Sequence, residues 1–168
     1  MTPAVLSNGP KLTETPGGSP SRPENGELSV AELLSRFMAD LQTLKTENLA
    51  KWFDEESELC LPPSGPARGA RRILAIFGLI FRRYQKLSWK VLAVYSAGER
   101  KLVYQTESKG IFADGRPYAN GILTIIEFSP ERKIRFLSDY FKDTAVFGRP
   151  LAALPARQKP AYGGQVPP

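Results

Sequence analysis

The sequence predicts an α+β fold in which a curved antiparallel sheet is covered on one face by three N-terminal helices. Three observations predict it. Up to about residue 85, apolar residues recur at the 3.6-residue period of a helix; beyond it they recur at every second residue, the period of a strand. The change happens once, so helices precede strands instead of alternating with them. The strand-like runs are joined by "AGER", "ADGRP" and "SPER", turn sequences short enough for a meander. A bent sheet closed by helices leaves a pocket at its open end.

The elements follow in order. Residues 1–28 are rich in Pro, Gly, Ser and Asn, show no period, and read as a disordered N-terminal arm. Ser29 followed by Glu32 is a capping box. Val30, Leu33, Leu34, Phe37, Met38 and Leu41 then mark an amphipathic helix over 30–43. A short helix over 46–53 turns Leu49, Trp52 and Phe53 inward. "SELCL" is a short strand stopped by Pro62 and Pro63, "SGPARG" a loop, and 69–85 a third helix burying Ile73, Phe77 and Phe81. Strands are expected over 87–96, 101–111, 119–128 and 133–141, with Gly98 and Gly115 supplying positive φ in the turns. The domain is expected to span 29–148, followed by a flexible tail over 149–168.

Composition narrows the function. A 168-residue chain with 42% hydrophobic residues suits one domain with a real core. No apolar run approaches the roughly 20 residues of a membrane helix, and no signal core follows the N-terminus, so a cytoplasmic protein without membrane contact is expected. Of 23 basic and 17 acidic residues, the two ends hold five and three, leaving 18 and 14 in the domain. That mild excess suits solubility and does not call for a nucleic-acid partner. There is no histidine, hence neither the commonest metal ligand nor the commonest general base at neutral pH. No phosphate-cradling glycine loop and no Cys/His metal spacing appears, so neither cofactor nor metal is expected. The lone Cys60 sits in an apolar strand without a histidine partner and is a poor nucleophile.

"LPPSGPARGARRILAIFGLIFRRY", "ADGRPYANGILTIIEF" and "KIRFLSDYFKD", in that order and spacing, resemble the SnoaL-like polyketide cyclases. That group belongs to the nuclear transport factor 2-like superfamily, with ketosteroid isomerase, scytalone dehydratase and limonene epoxide hydrolase. The resemblance covers roughly residues 29–148. It implies a cone of one bent sheet and three helices, a homodimer formed through the outer face of the sheet, and cofactor-free acid–base chemistry on a small hydrophobic substrate such as a polyketide or terpenoid. The expected reaction is an isomerisation, cyclisation or dehydration. A non-catalytic dimeric ligand-binding or scaffold protein and an epoxide-hydrolase-like enzyme are the alternatives.

The resemblance assigns Asp139 the role of the acid–base residue of the cyclases. In an apolar pocket its charged form is disfavoured, so its pKa should rise towards working pH. The plainer reading is a structural pairing with a neighbour. If Asp139 points inward, Leu137 and Arg135 share its side. Thr124 falls where ketosteroid isomerase carries its oxyanion-hole acid, and is otherwise a packing residue; Asn120, Ile122 and Ile126 follow its direction. Asn120 orients a carbonyl or the Asp139 carboxylate, or else closes its own turn. Glu107 matches an aspartate of limonene epoxide hydrolase, with Gln105 in place of the bridging arginine, and is otherwise a solvated residue. The pocket is expected to be lined by Trp52, Phe77, Phe81 and Tyr84, and by Tyr104, Gln105, Ile122 and Leu137. Trp89 is a further wall and Tyr118 a further phenol candidate. Two departures from the relatives stand out. Leu61 before Pro62 replaces the ketosteroid isomerase base, and the histidines of scytalone dehydratase are missing.

Overall fold

The computed structural model describes residues 28–62 and 65–147. The expected arm, save Leu28, and the expected tail over 149–168 lie outside the described residues.

Order begins with the capping box. The Ser29 backbone N–H donates to Glu32 Oε2 at 2.8 Å, and the Glu32 N–H donates to Ser29 Oγ at 3.2 Å. Helix α1 (Val30–Leu41) follows, with Leu33, Leu34, Phe37, Met38 and Leu41 buried along one stripe. Helix α2 (Thr46–Leu49) runs into a 3₁₀ turn, Ala50–Trp52. Strands β1 (Glu58–Cys60) and β2 (Ala67–Arg68) precede α3 (Ala70–Arg82). The long strands are β3 (Tyr84–Ser96), β4 (Lys101–Phe112), β5 (Pro117–Phe128) and β6 (Ile134–Phe141). Gly98 and Gly115 take the positive φ that their turns require, 149° and 88°.

The sheet runs β2-β1-β6-β5-β4-β3. Its four long strands form the expected antiparallel meander. Beside this meander the sheet gains one parallel pairing, of β1 with β6, Leu59 opposite Leu137. Strand β1 stands outside the meander, separated from β3 by α3, so hairpin geometry does not set its direction. The third helix is shorter than expected. It ends at Arg82 because Tyr84 already pairs with Phe112 as a strand residue and stacks on its ring at 4.8 Å.

The core lies between the helices and the concave face. Phe37 meets Trp52 edge-on at 5.7 Å, and Trp52 meets Phe128 at 6.2 Å. The Trp52 indole N–H donates to Asp40 Oδ2 at 2.8 Å, which satisfies its one polar group. Gly110 is dictated by packing, since a Cβ there would stand 2.2 Å from the Lys86 carbonyl oxygen. That contact lets β3 and β4 close tightly where the sheet bends. No helix among the described residues is long and apolar enough to cross a membrane.

Candidate active site

Beyond the Phe37–Trp52 core the cone stays open. A cavity of about 430 Å³ lies between α1, α3 and the concave face. Phe77, Phe81, Ile76 and Ile80 of α3 form one wall, because helical spacing puts them on one side. Exposed Leu79 and Arg83 line it at its mouth. The aromatic side chains line the space without filling it. A volume of this order suits a molecule of two or three fused rings.

The opposite wall is the sheet, where alternation decides which side chains look inward. On β4 these are Tyr104, Thr106 and Ser108, all buried. On β5 they are Tyr118, Ile122 and Thr124, and on β6 Leu137, Asp139 and Phe141. The register brings Tyr104, Thr124 and Asp139 into one row across three neighbouring strands. The Thr124 hydroxyl donates to Asp139 Oδ1 at 2.6 Å. A bond of this length to a carboxylate is of the charge-assisted kind.

Asp139 is the only carboxylate among the described residues lining this cavity. Burial pushes its pKa up from the ordinary carboxylate value to about 6, and the Thr124 hydrogen bond works the other way. The residue as a whole keeps partial exposure, since it also borders a shallow groove beside Pro62 and Pro66. The carboxyl group itself faces the enclosed side, and enclosure wins. Tyr104 is raised by burial and then by the nearby Asp139 charge. Tyr84 and Tyr118 are raised too, by burial first. The three phenols therefore stay protonated and face the cavity as donors. One group that titrates near neutrality stands among groups that do not.

Several expected residues sit elsewhere. Glu107 and Gln105 lie on the convex face, because they differ by an odd number from Tyr104, Thr106 and Ser108; Glu107 pairs with Lys109 at 3.1 Å. They do not meet Asp139. Trp52 belongs to the core, turned away from the cavity by its bond to Asp40. Arg135 lies outside the lining, 4.0 Å from Glu56. Asn120 orients neither a substrate carbonyl nor Asp139, and it does not close its own turn. Its amide donates to the Asp143 carbonyl at 2.7 Å and accepts from the Asp143 N–H at 3.1 Å. That clamp sets the segment after β6, which carries Phe147 onto Phe141 at 4.8 Å and Tyr118 at 6.1 Å. Burial, with Glu58 adjacent, pushes the Cys60 thiol up, so it stays a thiol.

Thr106 and Ser108 were not singled out from the sequence. The signal was present: once Tyr104 faces inward, parity turns both inward with it. Among the described residues no three His, Cys, Asp or Glu side chains converge as metal ligands.

The fold has counterparts among solved structures. A protein from Jannaschia sp. CCS1 named for its likeness to SnoaL polyketide cyclases superposes with a TM-score of 0.65. The match is 13% identical and covers 77% of this chain and 95% of that one. The fold is that of the nuclear transport factor 2-like proteins. One such protein from Anabaena variabilis ATCC 29413 is 20% identical, covering 75% of this chain and 96% of its own, with a TM-score of 0.63. A limonene-epoxide-hydrolase-like epoxide hydrolase of M. tuberculosis gives 0.57 at 14% identity, over 67% and 81% of the two chains. At these identities the likeness carries the fold and not the reaction. No family model and no curated protein matches the sequence.

Proposed function

We propose that this nuclear transport factor 2-like protein is a cofactor-independent isomerase, cyclase or dehydratase that acts on a small hydrophobic secondary metabolite, a polyketide or terpenoid, by acid–base catalysis. The observation that carries the reading is the Asp139 carboxyl. It is enclosed by apolar walls, bonded to Thr124, and poised with a pKa of about 6. Near pH 7 such a group is mostly ionised yet easily reprotonated, as a proton carrier must be. Thr124 holds it in one orientation. The Tyr104 phenol, next in the row, is a donor for the oxygen on which negative charge gathers when a neighbouring carbon loses its proton.

The test needs no natural substrate. In D₂O the protein should accelerate exchange of the acidic carbon-bound protons of 2-tetralone, followed by NMR. Asp139→Asn should lower that rate by about 100-fold or more, the usual contribution of one acid–base group, while the fold persists. Exchange that survives the substitution would rule Asp139 out as the base.

A non-catalytic ligand-binding protein is the second reading, favoured by Leu61, an apolar wall residue beside Pro62 where ketosteroid isomerase has its base. It predicts binding of 2-tetralone without exchange. The epoxide-hydrolase alternative lacks support, since its second carboxylate, Glu107, faces away. A homodimer through the convex face belongs to the same proposal. That face presents Tyr95, Leu123 and Tyr140 to solvent, 58%, 42% and 54% exposed.

A further inference from the structure

The cavity has a second polar end that the acid–base reading leaves unused. Ser108 is 1% exposed and lines the cavity, and its hydroxyl meets no partner at ordinary hydrogen-bond geometry, the Tyr118 phenol being the polar group near enough to interact with it. Native interiors rarely leave such a group unpaired, and an exception calls for an explanation. The Tyr118 phenol lies beside it, and the Tyr84 ring meets Tyr118 edge-on at 5.1 Å. Three hydroxyls thus converge on one spot, and one of them is unmatched.

The spot is distant from the proton carrier. Ser108 lies four residues beyond Tyr104 on β4, about 13 Å along an extended strand. One hydrogen bond at each end shortens the span to be bridged to about 8 Å. Across it lie Ile122, Phe77 and Phe81, which offer no polar partner, with the Thr106 hydroxyl as the polar group midway along β4. We infer that Ser108, with Tyr118 and Tyr84, forms a second subsite that receives a hydroxyl or keto oxygen of the ligand. The ligand is then a flat, fused-ring molecule with oxygens at opposite ends, one for the Asp139 row and one for Ser108. A molecule oxygenated at one end only would leave Ser108 buried and unpaired. The inference rests on the reading of the cavity as a substrate site and adds the class of substrate.

A matched pair of probes tests it. Naphthalen-2-ol has one oxygen; naphthalene-2,6-diol has a second at the far end of the same ring system. Dissociation constants for both are measured by calorimetry on the full chain at pH 7. After correction for its two equivalent ends, the diol should bind about three- to tenfold more tightly, the worth of one hydrogen bond. In Ser108→Ala that preference should vanish, with the naphthol affinity kept within about twofold. Tyr118→Phe should reduce the preference as well. The S108A protein should melt close to wild type, because the hydroxyl it removes makes no hydrogen bond of ordinary geometry. Equal binding of the two probes by wild type overturns the subsite. So does a preference that persists in both S108A and Y118F, and each of these results leaves the cavity reading standing. Failure of wild type to bind either probe up to the solubility limit overturns both.

Discussion

Replacing Asp139 by Asn measures the burial of its carboxyl without reference to any reaction. Burial raises the Asp139 pKa from 3.8 to about 6. The folded protein therefore holds this proton more tightly than the unfolded chain does. Unfolding then becomes easier as pH rises, because the native state binds more protons. The sign is opposite to that of a salt-bridged carboxylate. Below about pH 4 the group is protonated in both states and contributes no penalty. Between pH 4 and 6 the penalty grows, and above 6 it levels off. A shift of roughly two units at 1.36 kcal/mol per unit gives about 3 kcal/mol. This is an upper value, since the residue retains partial exposure. The assay is urea unfolding of wild type and D139N at a series of pH values and constant ionic strength. The stability of D139N relative to wild type should rise by up to about 3 kcal/mol from pH 4 to 7. Any constant offset from the new amide cancels in the slope, and so do all other titrating groups. A flat difference would mean that the carboxyl is solvated. A difference falling with pH would mean that a cation pairs with it. Either result refutes the reasoning.

Thr124→Val keeps the shape of the side chain but deletes the bond that favours ionised Asp139. The Asp139 pKa should rise further, by about one to two units given the worth of a hydrogen bond to a charged group, as read from the carboxyl ¹³C shift by NMR. Gly110→Ala should destabilise the fold by at least about 2 kcal/mol in urea melts, because the new methyl group collides with backbone oxygen that cannot move aside cheaply. In light scattering at micromolar concentration the protein should have twice the chain mass. Leu123→Glu with Tyr140→Glu should halve that mass by charging the exposed centre of the convex face.

Periodicity made most of the architecture legible. The Ser29–Glu32 box, the stripe from Val30 to Leu41 and the three meander turns stand where the sequence places them. What escaped was set by contacts distant in sequence. The parallel pairing of Leu59 with Leu137 depends on where α3 returns the chain, and the early start of β3 depends on the Phe112 ring. In the site, Asp139, Thr124, Tyr104, Tyr84, Ile122, Leu137, Phe77 and Phe81 line the cavity. Gln105 and Glu107 failed on parity, because no regular strand turns Tyr104 and Gln105 to the same face. Asn120 does face inward, yet its amide is taken by Asp143, a residue beyond the end of β6 that strand alternation does not reach.

The Thr124–Asp139 bond has a stereochemical consequence. Thr124 occupies Oδ1, and β6 is pinned between β1 and β5, so the strand cannot swing. One carboxyl oxygen, Oδ2, remains to meet a ligand. With no other carboxyl in the described lining, the proposed acid–base reaction would have this one oxygen both take a proton from carbon and return it. Any shift of hydrogen along the ligand that passes through Asp139 must then be suprafacial, leaving and re-entering on the same side of the ring plane. A deuterium started on that face would be carried to the product in part, with the remainder lost to water.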